Sequence, residues 1–176
     1  MKEYKILLTG TMGAGKTTAI AAISDVPPVS TDVLNTDAST DKATTTVGYD
    51  YGELHLPGGD RLRLYGTPGQ QRFAFMWKIL AQGALGLVIL IDNSRPDPLQ
   101  DLRDYLQGFA GLIHDTGCVV GVGRMEQCAQ PDLDAHAEVL QGFGLLCPVV
   151  ATDVREREQV ALLLDLLMLQ LEARQS

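Results

Sequence analysis

Positive charge is scarce in this chain: 14 lysines and arginines stand against 22 aspartates and glutamates in 176 residues, a formal net charge of −8. Surfaces that hold nucleic acid concentrate Lys and Arg, and here the few cations are scattered, which excludes a nucleic-acid partner. No apolar run reaches the roughly 18 residues that a membrane-spanning helix requires, and the N-terminus enters a polar-flanked strand without a signal-peptide layout. A cytoplasmic, soluble protein is therefore expected. Cysteine is sparse as well. Cys118, Cys128 and Cys147 are odd in number and irregularly spaced, which fits neither a disulfide framework nor a metal knuckle and predicts reduced thiols. The final residues Ala173-Arg174-Gln175-Ser176 contain no cysteine to lipidate, so no prenyl anchor is expected. His55, His114 and His136 have no spacing that suggests a metal site.

Against these absences stands one octapeptide, Gly10-Thr11-Met12-Gly13-Ala14-Gly15-Lys16-Thr17, which matches the phosphate-binding pattern G-x-x-x-x-G-K-[ST] at every fixed position. The glycines let the backbone curl until successive N–H groups point inward at phosphate oxygens. The helix that follows adds its positive dipole end. Lys16 would reach the β- and γ-phosphates, and the Thr17 hydroxyl would coordinate Mg²⁺. Gly10, Gly13, Ala14, Gly15, Lys16, Thr17 and Thr18 form the expected nucleotide-binding set, with Lys16 also stabilising charge during catalysis. Ile6, Leu7 and Leu8 upstream read as a buried parallel strand, and Thr17 to Ser24 downstream as a helix.

Residues Asp25 to Thr46, rich in Pro, Ser, Thr and Asp, read as a long loop of functional character. Val47 to Leu56 and Arg61 to Leu64 flank the turn cluster Pro57-Gly58-Gly59-Asp60 and predict a hairpin. Leu85 to Ile91 is a second central-strand run, and Cys118 to Val122 and Pro148 to Ala151 are short buried strands. Leu99 to Ile113, Leu133 to Phe143 and Arg155 to Leu171 read as helices. Strands alternating with helices predict a three-layer α/β domain over residues 1–176: a six-stranded, mostly parallel sheet with one antiparallel edge strand and helices on both faces. Its ligand would sit beyond the carboxyl ends of the strands.

In order of features the chain resembles the small Ras-like GTPases over essentially its whole length. Thr46-Val47-Gly48-Tyr49-Asp50-Tyr51 is similar to a Rab-type switch I, which implies that Thr46 holds Mg²⁺, although Thr44 and Thr45 leave the register open. Gly66-Thr67-Pro68-Gly69-Gln70-Gln71-Arg72-Phe73 resembles the switch II sequence D-T-A-G-Q-E-R-F, which implies that the Gly69 amide contacts the γ-phosphate and that Gln70 orients the attacking water. The aspartate of that motif, ordinarily a metal holder, is Gly66 here. The metal would then rely on Thr17, Thr46, phosphate oxygens and waters, and weaker Mg²⁺ binding is expected. Gly123-Arg124-Met125-Glu126 stands where the base-reading N-K-x-D motif belongs; Glu126 offers the carboxylate on a longer arm and the Arg124 stem could cover the base, or the segment is a surface loop. A backbone amide at Ala151 could meet guanine O6.

The Thr-Pro-Gly-Gln form resembles a prokaryotic branch, the gliding-motility polarity GTPases and relatives encoded beside roadblock-type proteins, which implies a roadblock-type regulator or effector. Residues 25–53 contain no arginine; without an internal finger, GTP hydrolysis to GDP is expected to run at roughly 10⁻⁴ to 10⁻³ s⁻¹ until a partner assists. Two other readings stay open: a nucleotide-binding scaffold with negligible hydrolysis, favoured by the departures at 66 and 123–126, and a small P-loop kinase, disfavoured by the lack of an Arg-rich lid. Guanine over adenine follows from the resemblance alone. In the last helix Val160, Leu164, Leu167 and Leu171 form one apolar stripe and Leu162, Leu166 and Leu169 another, which points either to oligomerisation or to burial under a neighbouring loop.

Overall fold

The two longest apolar runs become the central strands. In the computed structural model, which describes residues 1–35, 45–70, 73–127 and 132–176 and only the backbone of 31–35 and 45–47, β1 (Glu3–Gly10) and β5 (Ala84–Asp92) pair in parallel. Around them the chain adds α1 (Lys16–Ile23), β2 (Val29–Asn35), β3 (Thr45–His55), β4 (Arg61–Gly66), α2 (Ala74–Ala81), α3 (Pro98–Gly108), α4 (Ala110–Asp115), β6 (Cys118–Gly123), α5 (Leu133–Gly142), β7 (Val149–Ala151) and α6 (Arg157–Gln175). The sheet order is β2-β3-β4-β1-β5-β6-β7. Neighbours from β4 to β7 pair in parallel, whereas β3 runs opposite to both β4 and β2.

The fold class is the expected one, with seven strands in place of six. The extra strand is β2, which lies inside the segment read as a loop and zips onto the free edge of β3 from Val29↔Tyr51 to Asn35↔Thr45. An edge strand satisfies one row of backbone groups and buries little, so its sequence need not alternate. The antiparallel strand β3 is thus one place in from the edge. Residues 36–44, with Lys42 and Thr44, lie outside the described residues, as do Gln71, Arg72 and Cys128. Helix α2 was not foreseen, and the stretch read as one helix over 99–113 divides at Phe109 into α3 and α4.

Alternation along the strands divides the core in two. Leu7, Leu87, Ile89, Ile91, Val120 and Val122 face α2 to α5, while Ile6, Leu8, Leu62, Leu64, Val88 and Leu90 face α1 and α6. Helix α6 lays Val160, Leu163, Leu164, Leu167 and Leu171 on the second side. Of its other stripe, Leu166 is partly covered, but Leu162 and Leu169 are exposed. Cys118 is buried and Cys147 half-buried, both as free thiols. Among the described residues no helix is long and apolar enough to cross a membrane.

The sole tryptophan fixes the first core. Trp77 of α2 stacks between Tyr105 and Phe109, at centroid distances of 4.9 and 5.0 Å, and a Cβ at Gly108 would come within 2.6 Å of its ring. Its Nε1 donates to the Pro68 carbonyl at 3.2 Å. Replacing Trp77 by Ala is expected to cost about 3–5 kcal/mol of stability, the range for deleting a buried aromatic; urea unfolding followed by circular dichroism checks it.

Candidate functional site

The carboxyl ends of β1, β4, β6 and β7 open onto one cavity of about 740 Å³. Its floor is the phosphate loop. Gly10, Gly13 and Gly15 all have positive φ, at 154°, 84° and 99°. At Gly10 a Cβ would lie 2.3 Å from the Leu90 carbonyl oxygen, and at Gly15 it would lie 2.6 Å from Val154 Cγ2, so both positions need glycine for space as well as for dihedral angle. Gly15 is also the N-cap of α1, and no side chain caps that helix. The first-turn N–H groups of α1 have no acceptor within their own helix and face the cavity end, which is the arrangement that favours an anion.

Lys16 lies inside this loop, 8% exposed, and its Nζ donates to the carbonyls of Gly10 at 2.6 Å and Thr11 at 2.9 Å. Burial lowers its pKa to about 8, and the neighbouring Asp50 carboxylate offsets part of that fall. The ammonium is thus poorly compensated by charge, and a polyphosphate would supply what is missing. Thr17 Oγ1 donates to Asp50 Oδ2 at 2.6 Å, and Ser30 Oγ donates to the other oxygen at 2.7 Å.

On one wall the residues after β4 approach the loop. A Cβ at Gly69 would meet Met12 N at 2.5 Å and Lys16 Nζ at 2.9 Å, so only glycine permits this contact. The carbonyls of Pro68 and Gly69 accept from Trp77 Nε1 at 3.2 Å and the Tyr105 hydroxyl at 3.4 Å. A trans peptide sets the Gly69 N–H opposite to the Pro68 carbonyl, away from Trp77. Gln70 is half-exposed, and its Nε2 donates to Met12 Sδ at 3.6 Å. Buried Thr67 shares a hydrogen bond of 2.7 Å with Thr9 and anchors the start of this segment under the cavity.

The opposite wall comes from the loops after β6 and β7. Arg124, at φ 54° the one non-glycine residue with positive φ among those described, reaches back to Asp92 Oδ2 at 2.6 Å and donates to the Gly13 carbonyl at 3.2 Å. Asp92 also caps its own loop, accepting from the Ser94 amide and hydroxyl. Glu126, in a 3-10 turn over Met125–Gln127, is exposed at the cavity rim. Ala151 ends β7, and beyond it Asp153 is clamped by the Arg155 guanidinium, which with the Arg155 amide holds its carboxyl down at about 2.

Gly13, Ala14, Gly15, Lys16, Thr17, Thr18, Gly69, Arg124, Glu126 and Ala151 all line this one cavity. Gly10 lies beneath it and holds Lys16, and Gln70 stands beside it against Met12. Thr46 pairs with Leu34 through its backbone in β3, and its side chain lies outside what is described. Asp50, Gly48, Thr67 and Asp153 also line the cavity and were not foreseen. Asp50 had a signal in the hairpin register, since it stands directly across from Gly66. Among the described residues no three His, Cys, Asp or Glu side chains cluster as a metal site, and His136 is wholly buried with its Nδ1 on the Asp132 carbonyl.

Comparison with known proteins places this geometry. Among curated relatives the chain is 27% identical to the GTP-binding protein ypt1 of Schizosaccharomyces pombe over 69% of this chain and 54% of that protein. It is 20% identical to Ras-related protein RabC of Dictyostelium discoideum over 97% of this chain and 84% of the relative. With Ras-related protein Rab-3 of Caenorhabditis elegans the identity is 24% over 80% and 58%. The chain therefore spans little more than half the length of ypt1 and Rab-3. A family model described as a conserved hypothetical ATP binding protein matches residues 29–171, a stretch that begins after the phosphate loop and includes both cavity walls. Matched over that length, the chain belongs to the family of conserved hypothetical ATP binding proteins, on a Ras-like P-loop fold.

Proposed function

We propose that the chain is a small nucleotide-dependent switch that binds GTP and GDP with Mg²⁺ and hydrolyses GTP slowly until a protein partner assists. The observation that carries this reading is the meeting of two segments at one ammonium: Gly69 packs against Met12 and Lys16 Nζ, so a terminal phosphate held by the loop would also meet the Gly69 amide. Loss of that phosphate removes a shared anchor, and the segment after β4 is released while the loop stays closed on the remaining phosphates. The relatives' names speak for guanine and the family's description for adenine; the carboxylate of Glu126, at the rim beyond Arg124, supports guanine by offering an acceptor for its ring N1–H and exocyclic amino group.

In hydrolysis Lys16, Thr17 and the loop amides neutralise charge developing on the phosphates, and Gln70 places the water. Thr17 and Thr46 would hold Mg²⁺, which supplies further charge neutralisation on the phosphate oxygens; the Thr17 hydroxyl, its proton already donated to Asp50, has its lone pairs available for such an ion. A regulator or effector, roadblock-type by resemblance, would read the segment after β4, where Phe75 and Ile79 of α2 are more than half exposed. The exposed Leu162 and Leu169 of α6 offer a second contact, to another copy of the chain.

Titrating nucleotide-free protein with GDP, GTP, ADP and ATP tests the reading, and preference for the guanine pair is the expected result. Equal affinity for all four would overturn the base assignment. Lys16→Ala should abolish binding, whereas Gln70→Leu should keep affinity within about twofold of wild type and slow single-turnover hydrolysis tenfold or more, the loss of one positioning interaction. Exchange of GDP for a non-hydrolysable GTP analogue should change Trp77 emission, because its indole holds Pro68.

Affinity should also depend on pH in a set direction. Phosphate binds the charged Lys16, which in the free protein gives up its proton near pH 8. Below about pH 8 binding needs no proton, and above it each complex must take one up, so affinity falls by up to about tenfold per pH unit until the raised pKa of the complex is reached. Calorimetric titrations in buffers of different ionisation enthalpy check both the slope and the proton count.

A further inference from the structure

Position 66, at the carboxyl end of β4 and beside the phosphate loop, is glycine, and the cavity would be short of a carboxylate if that were the whole of the site. The space over Gly66 is not free. A Cβ built there would lie 3.2 Å from Asp50 Cβ, 3.2 Å from Asp50 Oδ2 and 3.2 Å from Ile20 Cδ1. Asp50 is the direct cross-strand partner of Gly66 in the antiparallel β3–β4 pair, so both residues project to the same face, the one covered by α1. The Asp50 side chain therefore fills the volume that a side chain at 66 would enter, with its Oδ2 3.2 Å from where the Cβ of that side chain would stand.

Its partners suit a cation. Thr17 Oγ1 donates to Oδ2 at 2.6 Å, which commits the threonine proton to the carboxylate and turns the hydroxyl lone pairs elsewhere. Ser30 Oγ fixes Oδ1 at 2.7 Å, so the carboxylate is held from both sides. Of the three carboxylates lining the cavity among the described residues, Asp50, Glu126 and Asp153, Asp50 stands next to the phosphate loop, whereas the other two come from the loops after β6 and β7. Mg²⁺ is ordinarily bound through one or two carboxylates together with phosphates and waters. We propose that Asp50 is the carboxylate of the Mg²⁺ site, reaching across from β3 to serve where β4 supplies only Gly66, by orienting Thr17 and by accepting hydrogen bonds from the ion's waters. The assignment rests on the nucleotide reading above and revises the expectation that metal binding is left to threonines and waters.

The test follows binding, not turnover: affinity of the full chain for fluorescently labelled GDP, measured in EDTA and across a Mg²⁺ titration. Asp50→Asn keeps the size of the side chain, and its own GDP affinity in EDTA is the metal-free baseline against which its Mg²⁺ dependence is read. It should weaken the Mg²⁺ dependence by roughly 10- to 100-fold, the usual effect of losing an outer ligand-orienting group. The double variant D50G/G66D, which returns the carboxylate to β4 and clears room for it, should recover Mg²⁺ affinity that D50G alone lacks. An unchanged Mg²⁺ dependence in D50N, or a double variant no better than D50G, overturns the assignment while leaving the nucleotide reading intact. Absence of GDP binding by the wild type in either condition overturns the nucleotide reading, and this assignment with it.

Discussion

An ammonium ion buried among backbone carbonyls governs the rest of the molecule. Lys16 has no carboxylate in hydrogen-bond contact among its described partners; Gly10 and Thr11 supply carbonyl oxygens, and Asp50 acts on it only through space. A charge in that position costs free energy that few neighbours repay, and the loop can present it only because Gly10 passes within a Cβ's width of the Leu90 carbonyl and Gly15 within one of Val154. Those contacts tie the site to β5 and to the segment after β7. The central strands must therefore be in register before the lysine can be placed, and the site is a product of the whole sheet.

The parallel sheet then brings distant residues to one place. Carboxyl ends of β1, β4, β6 and β7 deliver the loop, the Gly66–Gln70 segment, Arg124 and Ala151 to a single cavity. Arg124 closes the arrangement by bridging Asp92 and the Gly13 carbonyl, a charge-assisted pair that couples the wall after β6 to the floor. Its left-handed backbone, unusual for a long side chain, marks strain held by that pairing. The departure from the N-K-x-D motif thus keeps a cation with a structural task.

Much of this was legible in the residues because the physics is local. A loop that needs glycine, lysine and threonine at fixed spacing can be read from eight letters, and the apolar runs of β1 and β5 follow from burial on both faces. The rest depends on pairing. Val29–Asn35 has neither alternation nor a continuous apolar run, and becomes a strand because β3 offers it a free edge. Helix α2 is apolar almost all round, so no amphipathic period announced it; Trp77 and Leu80 go inward, Phe75 and Ile79 outward. Asp50 reads as one polar residue in a hairpin strand until the register sets it over Gly66. The motif at 66 is written in sequence order, whereas the carboxylate beside it is written across the sheet.

That distinction bears on how the two walls would communicate. The Pro68 and Gly69 carbonyls are held by Trp77 and Tyr105, whose rings stack on each other and, with Phe109, form a slab between α2 and α3. Stacked aromatic rings in a close-packed core shift together or not at all, so a displacement of Gly69 away from the phosphate loop cannot be absorbed locally. It must break the hydrogen bonds from Trp77 and Tyr105 or draw on both α2 and α3, the helices that carry them. An unmade bond to a buried indole N–H costs about 1–3 kcal/mol, so the Trp77 contact ties Pro68 to α2. The exposed Phe75 and Ile79 stand on that helix, on the side away from the core.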